Sequence, residues 1–268
     1  VADLDTAAAR AQELLRLHAD PAILVLVNVW DVASAQTVAS VPGCRAIATA
    51  SWAMAAAHGI ADGEAIGRDR MLELVGEIAG AVALPVTADL ESGYGETPAE
   101  VGETVGRAIA AGAVGCNLED GVPGATLLRD AQDAARRVQA ARERADREGV
   151  PVVINARTDV YLRGADDAEA ALLRGRAYAA AGADCVFVPG VIERETIRAL
   201  VEGIPAPVSV LARPGAPSVS ELEALGVARV SFGPGPMGAA LAALARTASQ
   251  LLQGGAPADE LGYRPSAD

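Results

Sequence analysis

The sequence predicts a (β/α)8 TIM barrel, the α/β fold in which eight parallel strands alternate with eight helices. Three observations carry that expectation. Short apolar runs alternate with alanine-rich amphipathic stretches, eight times within about 230 residues. Each run is four to seven residues long and apolar almost throughout, as strands buried on both faces are. Several amphipathic stretches end in Ala-Gly-Ala or Leu-Gly-Val just before the next run. That places Gly112, Gly182 and Gly226 after the last helical turn, where a left-handed residue directs the chain back to the sheet. A doubly wound open sheet is the alternative, but it usually has about five to seven strands, and no Gly-x-Gly-x-x-Gly follows the first run.

Taken in order, residues 1–20 hold an extra N-terminal helix, 4–18, placed over the barrel floor. Strands are expected at 23–29, 45–49, 85–88, 114–118, 151–155, 184–188, 207–211 and 228–232. The helices fall at 31–40, 67–81, 98–111, 130–147, 166–181, 193–202, 217–225 and 236–252. Thr97-Pro98 and Ser218-Val-Ser-Glu221 are helix-start signals. Residues 254–268 are a polar tail with Gly and Pro, and 1–268 reads as a single domain.

Composition removes several function classes. Of the 268 residues, 51% are hydrophobic and 21% charged, and the mean hydropathy is +0.25, too apolar for a disordered chain. The net charge of -13 argues against a nucleic-acid or anionic-membrane surface, which needs a basic face. All 22 basic residues are arginine, so Schiff-base lysine chemistry, pyridoxal phosphate and the P-loop are excluded. With only His18 and His58, a multi-histidine zinc site is excluded, and a Ser-His triad is disfavoured. Cys44, Cys116 and Cys185 lie far apart and are expected to be reduced, which suits the cytoplasm. No signal peptide is read, and the longest apolar stretch, 46–57, is too short to span a bilayer.

In a barrel the chemistry gathers at the C-terminal ends of the strands. Asp89 and Glu91 are two apart at the third strand end and point to one side, Glu119 ends the neighbouring strand, and Asp62 follows the second. Carboxylates converging there would repel one another unless a cation sat among them. An oxygen-only, imidazole-poor cluster suits Mg2+. The opposing reading is that these acids cap helices or pair with Arg157. Arg157, at the fifth strand end, could bind a substrate carboxylate or an enolate oxygen, or form a structural ion pair with Glu119. Arg213 could hold a second anionic group or face solvent. The backbone N–H groups of Ala50 and Ser51 could face a carboxylate, or simply form a turn of small residues. Gly93-Tyr94-Gly95 would let a loop approach a ligand. His18 is expected at the surface, and His58 in a packing or surface role.

These residues form a set. Asp89-Leu-Glu-Ser-Gly-Tyr-Gly95, Asn117-Leu-Glu-Asp120 and Asn155-Ala-Arg-Thr-Asp159 resemble the strand-end signatures of the isocitrate lyase / phosphoenolpyruvate mutase superfamily. Asn28-Val-Trp-Asp31 and Gly59-Ile-Ala-Asp62 are also similar, and the match runs in order from about residue 20 to 235. The resemblance implies an α/β barrel that binds Mg2+ and a 2-oxo acid or its enolate. By position, Asp89 would be the direct metal ligand and Asp62, Glu91 and Glu119 would hold metal waters, with Asp89, Glu91 and Glu119 forming the expected metal site. Arg157 would stabilise charge on the reacting oxygen. Ala50, Ser51, Asn117 and Arg213 would contact substrate, with Glu119 and Asp62 beside Arg157 in catalysis. The resemblance also implies a homo-oligomer, dimer or tetramer, often with an exchanged C-terminal helix.

The sequence departs from the family in the loop after the fourth strand. Gly121-Val-Pro-Gly-Ala-Thr-Leu-Leu-Arg129 lacks the Cys and His of the lyases and the Lys and Asn of the phosphonopyruvate enzymes. Residue 50 is alanine where many members have serine, and Val188-Pro-Gly190 lacks the histidine or glutamate common after the sixth strand. The expectation is therefore an Mg2+-dependent lyase or decarboxylase acting on a small 2-oxo or hydroxy dicarboxylic acid through an enolate. Phosphoenolpyruvate or carboxyphosphonoenolpyruvate mutase-type C–P chemistry is the enzyme alternative. A barrel that binds metal and oxo acid but has lost its acid/base is the non-enzyme alternative.

Overall fold

The computed structural model describes residues 4–163 and 167–263. The apolar runs become nine strands: β1 (Leu24–Leu26), β2 (Asn28–Val29), β3 (Ile47–Thr49), β4 (Val86–Asp89), β5 (Gly115–Glu119), β6 (Val153–Arg157), β7 (Cys185–Val188), β8 (Val208–Leu211) and β9 (Arg229–Ser231). They form one parallel sheet in the order β1-β9-β8-β7-β6-β5-β4-β3-β2. The first expected strand is split at Val27. Its β1 half pairs with β9, and its β2 half pairs with β3. The two ends of the sheet are thus consecutive in the chain, and the sheet curls into a barrel.

The helices are α1 (Leu4–His18), α2 (Val32–Ala39), α3 (Ser51–Ala57), α4 (Arg68–Gly80), α5 (Pro98–Ala110), α6 (Ala131–Glu148), α7 (Ala168–Ala180), α8 (Arg194–Gly203), α9 (Val219–Ala224) and α10 (Gly235–Leu252). The two start signals form as expected. Thr97 and Ser218 each make a reciprocal capping box, with Glu100 and Glu221 respectively. Gly112 and Gly182 take φ of +100° and +99°, the left-handed turn into β5 and β7. Residues 1–3, residue 166 at the expected start of α7, and residues 264–268 of the tail lie outside the described residues.

Two expectations need correction. Helix α3 was missed, because it starts directly at a strand end on Ala50, whose methyl side chain cannot accept a capping hydrogen bond. His18 is not at the surface but 3% exposed, because α1 plugs the barrel floor. A Cβ on Gly115 of β5 would come within 2.8 Å of Leu14 Cδ2, so β5 carries a glycine where the plug meets the sheet. Among the described residues, no helix is long and apolar enough to cross a membrane.

Candidate active site

The strand ends meet at one mouth. Asp89, the last residue of β4, is 8% exposed and tightly held. Its Oδ2 accepts from the Ser51 backbone N–H at 3.0 Å and from Ser51 Oγ at 2.8 Å. Its own N–H donates to Thr49 Oγ1 at 2.8 Å. Its Oδ1 receives only a 3.4 Å contact from Asn117 Nδ2, which leaves it the less committed oxygen.

Ser51 therefore acts on Asp89. Of the Ala50 and Ser51 N–H groups expected near a substrate carboxylate, the Ala50 N–H donates to Val29 O at 3.1 Å and the Ser51 N–H to Asp89. Asn117 likewise turns into the barrel, where its Oδ1 accepts from Asn155 Nδ2 at 2.8 Å and Arg229 Nη2 at 3.2 Å.

Glu91 sits beyond the strand in a strained turn. Glu64, Glu91 and Tyr94 have φ of +67°, +51° and +53°, the described non-glycine residues with positive φ. All three are bonded to one another. Glu91 accepts from the Glu64 N–H at 2.6 Å and from the Tyr94 hydroxyl, while Glu64 Oε1 accepts from the Tyr94 N–H at 2.8 Å and Ser92 Oγ at 2.7 Å. Sequence reading missed Glu64, since only the turn brings it to Glu91. Gly93 and Gly95 serve packing here. A Cβ on Gly93 would fall 2.8 Å from Val101, and one on Gly95 would fall 2.6 Å from Glu100 Cβ, both on α5. A cavity of about 780 Å³ lies beside this turn, lined by Glu64, Tyr94 and Gly95 on one wall and Val122, Pro123 and Arg129 on another.

Across the mouth, Arg157 ends β6. It pairs with Glu119 at 2.7 Å and with Asp159 at 2.6 Å, and its guanidinium lies 5.9 Å from the Phe187 ring centroid. Asp159, 1% exposed, was also missed as a site residue; its N–H donates to Asp120 Oδ1 at 2.9 Å, which fixes it under Arg157. Arg213 stays at the rim and donates to Gly190 O at 3.0 Å. His58 caps α3 and meets Arg70 at 3.2 Å, so it has the surface role expected of it. The loop 121–129 folds back on itself, with Gly121 bridged to Leu128 and Arg163 donating to the Ala125 carbonyl.

The charges at the mouth oppose one another. Burial pushes the Glu91 carboxyl up to about 7, and the Asp89 charge adds to it, against the Tyr94 hydrogen bond. Burial pushes Glu119 up to about 8 although Arg157 lies against it. Asp62, at the exposed edge, is raised by partial burial and by Asp89. Burial works against the charge on Arg157, but Glu119, Asp159 and Asp89 outweigh it and hold the guanidinium charged.

Among the described residues, no three His, Cys, Asp or Glu side chains form a ready metal-ligand group. Of the expected metal set Asp89, Glu91 and Glu119, Glu91 is hydrogen-bonded with Tyr94 and Glu64, and Glu119 is paired with Arg157. The donor chemistry still fits a hard cation. The mouth offers carboxylate oxygens whose mutual repulsion a cation would relieve, and the less committed Oδ1 of Asp89 is the oxygen that would be available to it.

Fold and site together define a class: a (β/α)8 barrel with an acidic mouth and a half-buried arginine facing the acids. The family model for phosphoenolpyruvate phosphomutase matches residues 14–252. The chain belongs to that family, within the PEP mutase/isocitrate lyase superfamily. A protein of Mycobacterium tuberculosis is 35% identical over 89% of this chain and 88% of its own length. The oxaloacetate decarboxylase of Bradyrhizobium sp. is 36% identical over 70% of this chain and 66% of its own. Among solved structures, a Burkholderia cenocepacia J2315 protein described provisionally as a phosphonomutase is 48% identical, with a TM-score of 0.87 over 90% of this chain and 99% of that one. Oxaloacetate acetylhydrolase in complex with its product oxalate is 26% identical, with a TM-score of 0.86 over 96% of this chain and 91% of that one.

Proposed function

We propose that the protein is a lyase or decarboxylase acting on a small 2-oxo or hydroxy dicarboxylic acid, with Mg2+ as its cofactor. The observation that carries this reading is the Arg157 guanidinium, held charged by Glu119 and Asp159 across the mouth from Asp89. Bond cleavage next to a 2-oxo group leaves an electron pair that becomes an enolate, and a fixed cation facing that oxygen lowers the barrier. For oxaloacetate the bond to the distal carboxylate breaks, CO2 leaves, and the enolate of pyruvate takes up a proton. Bound Mg2+ would supply Lewis-acid polarisation of the 2-oxo group. Asp89 holds the cation side of the mouth, Ser51 and Asn117 orient Asp89, and Glu119 and Asp159 orient Arg157. Similarity to oxaloacetate decarboxylase and to the acetylhydrolase supports C–C over C–P chemistry.

The 48% identical Burkholderia relative favours a second reading, phosphonomutase-type C–P chemistry. One panel separates them: oxaloacetate, malate-type acids, phosphonopyruvate and phosphoenolpyruvate, each with Mg2+ and with EDTA. Release of pyruvate from oxaloacetate supports the first reading. Rearrangement of phosphonopyruvate alone replaces it with the second, and oxalate binding without turnover of any acid leaves a binding protein.

A further inference from the structure

Among the described residues, Arg229 of β9 is the largest fully buried side chain, 1% exposed, and it forms no ion pair with a carboxylate. An arginine buried without an acid is costly, and its Nε has no hydrogen-bond partner among the described residues. Its two other nitrogens are committed. Nη1 meets His18 Nε2 at 3.5 Å on the barrel floor, and Nη2 donates to Asn117 Oδ1 at 3.2 Å. Since β9 and β5 are not neighbours in the sheet, the side chain crosses the barrel interior to reach Asn117.

The direction of this chain of bonds is set by chemistry. A guanidinium has donors only, so Asn117 must present its oxygen to Arg229. Asn155 Nδ2 donates to the same oxygen. The Asn117 amide nitrogen is then forced to the other side, toward Asp89 Oδ1. At the far end His18 Nδ1 donates to Leu14 O at 2.8 Å, which leaves Nε2 as the acceptor for Arg229. Burial and the neighbouring guanidinium keep that ring neutral.

We propose that Arg229 is a positioning residue: it fixes the orientation of the Asn117 amide and, through it, Oδ1 of Asp89. This rests on the reading of Asp89 as the residue that holds the cation.

Mg2+ affinity measured by calorimetry tests this on wild type, Arg229→Met, Arg229→Lys, Asn117→Ala and the Arg229→Met/Asn117→Ala pair, with near-ultraviolet circular dichroism to check each fold. Loss of such an outer partner typically weakens metal binding by about 10- to 100-fold. R229M should lose at least about tenfold, R229K should recover most of it because lysine also only donates, and R229M should cost nothing further in the N117A background. R229M binding as tightly as wild type, or losing as much with N117A as without it, overturns the proposal. If R229M does not fold, the wild-type side-chain 15N signals decide: those of Asn117 and Arg229 should both shift on Mg2+ addition, and a stationary Arg229 signal overturns the role. Wild-type protein that takes up no Mg2+ overturns the metal reading of Asp89, and this role with it.

Discussion

Arg157 and Glu119 face each other on adjacent strand ends, paired in register and joined at 2.7 Å. Neither is at ease alone. Burial pushes Glu119 up to about 8, and the arginine is what keeps its negative form accessible. A ligand carboxylate or enolate oxygen arriving at Arg157 competes with Glu119 for one guanidinium.

Arg157→Ala should therefore have two effects. Oxalate binding should weaken by about 2–5 kcal/mol, the range for losing one partner of a buried charged contact. The fold should also be destabilised, by about 3–5 kcal/mol, because Glu119 and Asp159 are left buried without their cation. Calorimetry with oxalate and a urea unfolding curve check the two separately. A loss of stability with unchanged oxalate affinity would return Arg157 to a purely structural ion pair.

Asp89→Ala should remove the Mg2+-dependent part of ligand binding and leave the barrel folded. Among the described residues its carboxylate is hydrogen-bonded by local partners, Ser51 and Asn117, and the strand it ends is held by backbone pairing on both sides. Thermal shift with oxalate, with and without Mg2+, reads this directly. A Mg2+-dependent shift as large as that of wild type would take Asp89 out of the metal site.

The barrel was legible because its signals are local and repeated: apolar runs of strand length, capping boxes at Thr97 and Ser218, glycines at helix ends. The acids at the mouth were legible because strand ends are where a barrel gathers them, and Asp89 and Arg157 stand where their positions implied. Whom each side chain faces was not legible. Ser51 turning to Asp89 depends on α3, whose start carries no capping signal. Glu64 reaches Glu91 only through a positive-φ turn, and Arg229 reaches Asn117 across the barrel, from a residue 112 positions away. No periodicity in the chain encodes such contacts.

His18 gives the protein a pH-dependent floor. Burial first, and the Arg229 charge second, lower its pKa from 6.5 to about 4. The unfolded state then binds a proton that the folded state refuses, so His18 contributes stability in full above pH 6.5 and loses it as pH falls through about 4. The difference is worth about 3 kcal/mol. A His18→Gln variant isolates this contribution. Urea midpoints taken at several values between pH 4 and 6.5 should fall more steeply for wild type than for H18Q; parallel curves would show that His18 is protonated in the folded state.

Helix α10 supplies the last test. It is 18 residues long, yet Met237 is its one buried residue, while Leu241, Leu244 and Leu252 are 51%, 64% and 88% exposed. Leu241, Leu244 and Leu251 follow a spacing of three and seven, which puts them on one face. A leucine face on a helix that gives the barrel so little is stable only when covered, and we propose that a second copy of the chain covers it. Burying each leucine on association is worth about 1.5–3 kcal/mol, so charging two of them should dissolve the contact. In sedimentation velocity at micromolar concentration, wild type should run as a dimer or larger, and Leu241→Glu/Leu244→Glu should run as a monomer with its circular dichroism unchanged. Wild type that is itself monomeric at that concentration removes the oligomer, and leaves the exposed face of α10 to a different partner.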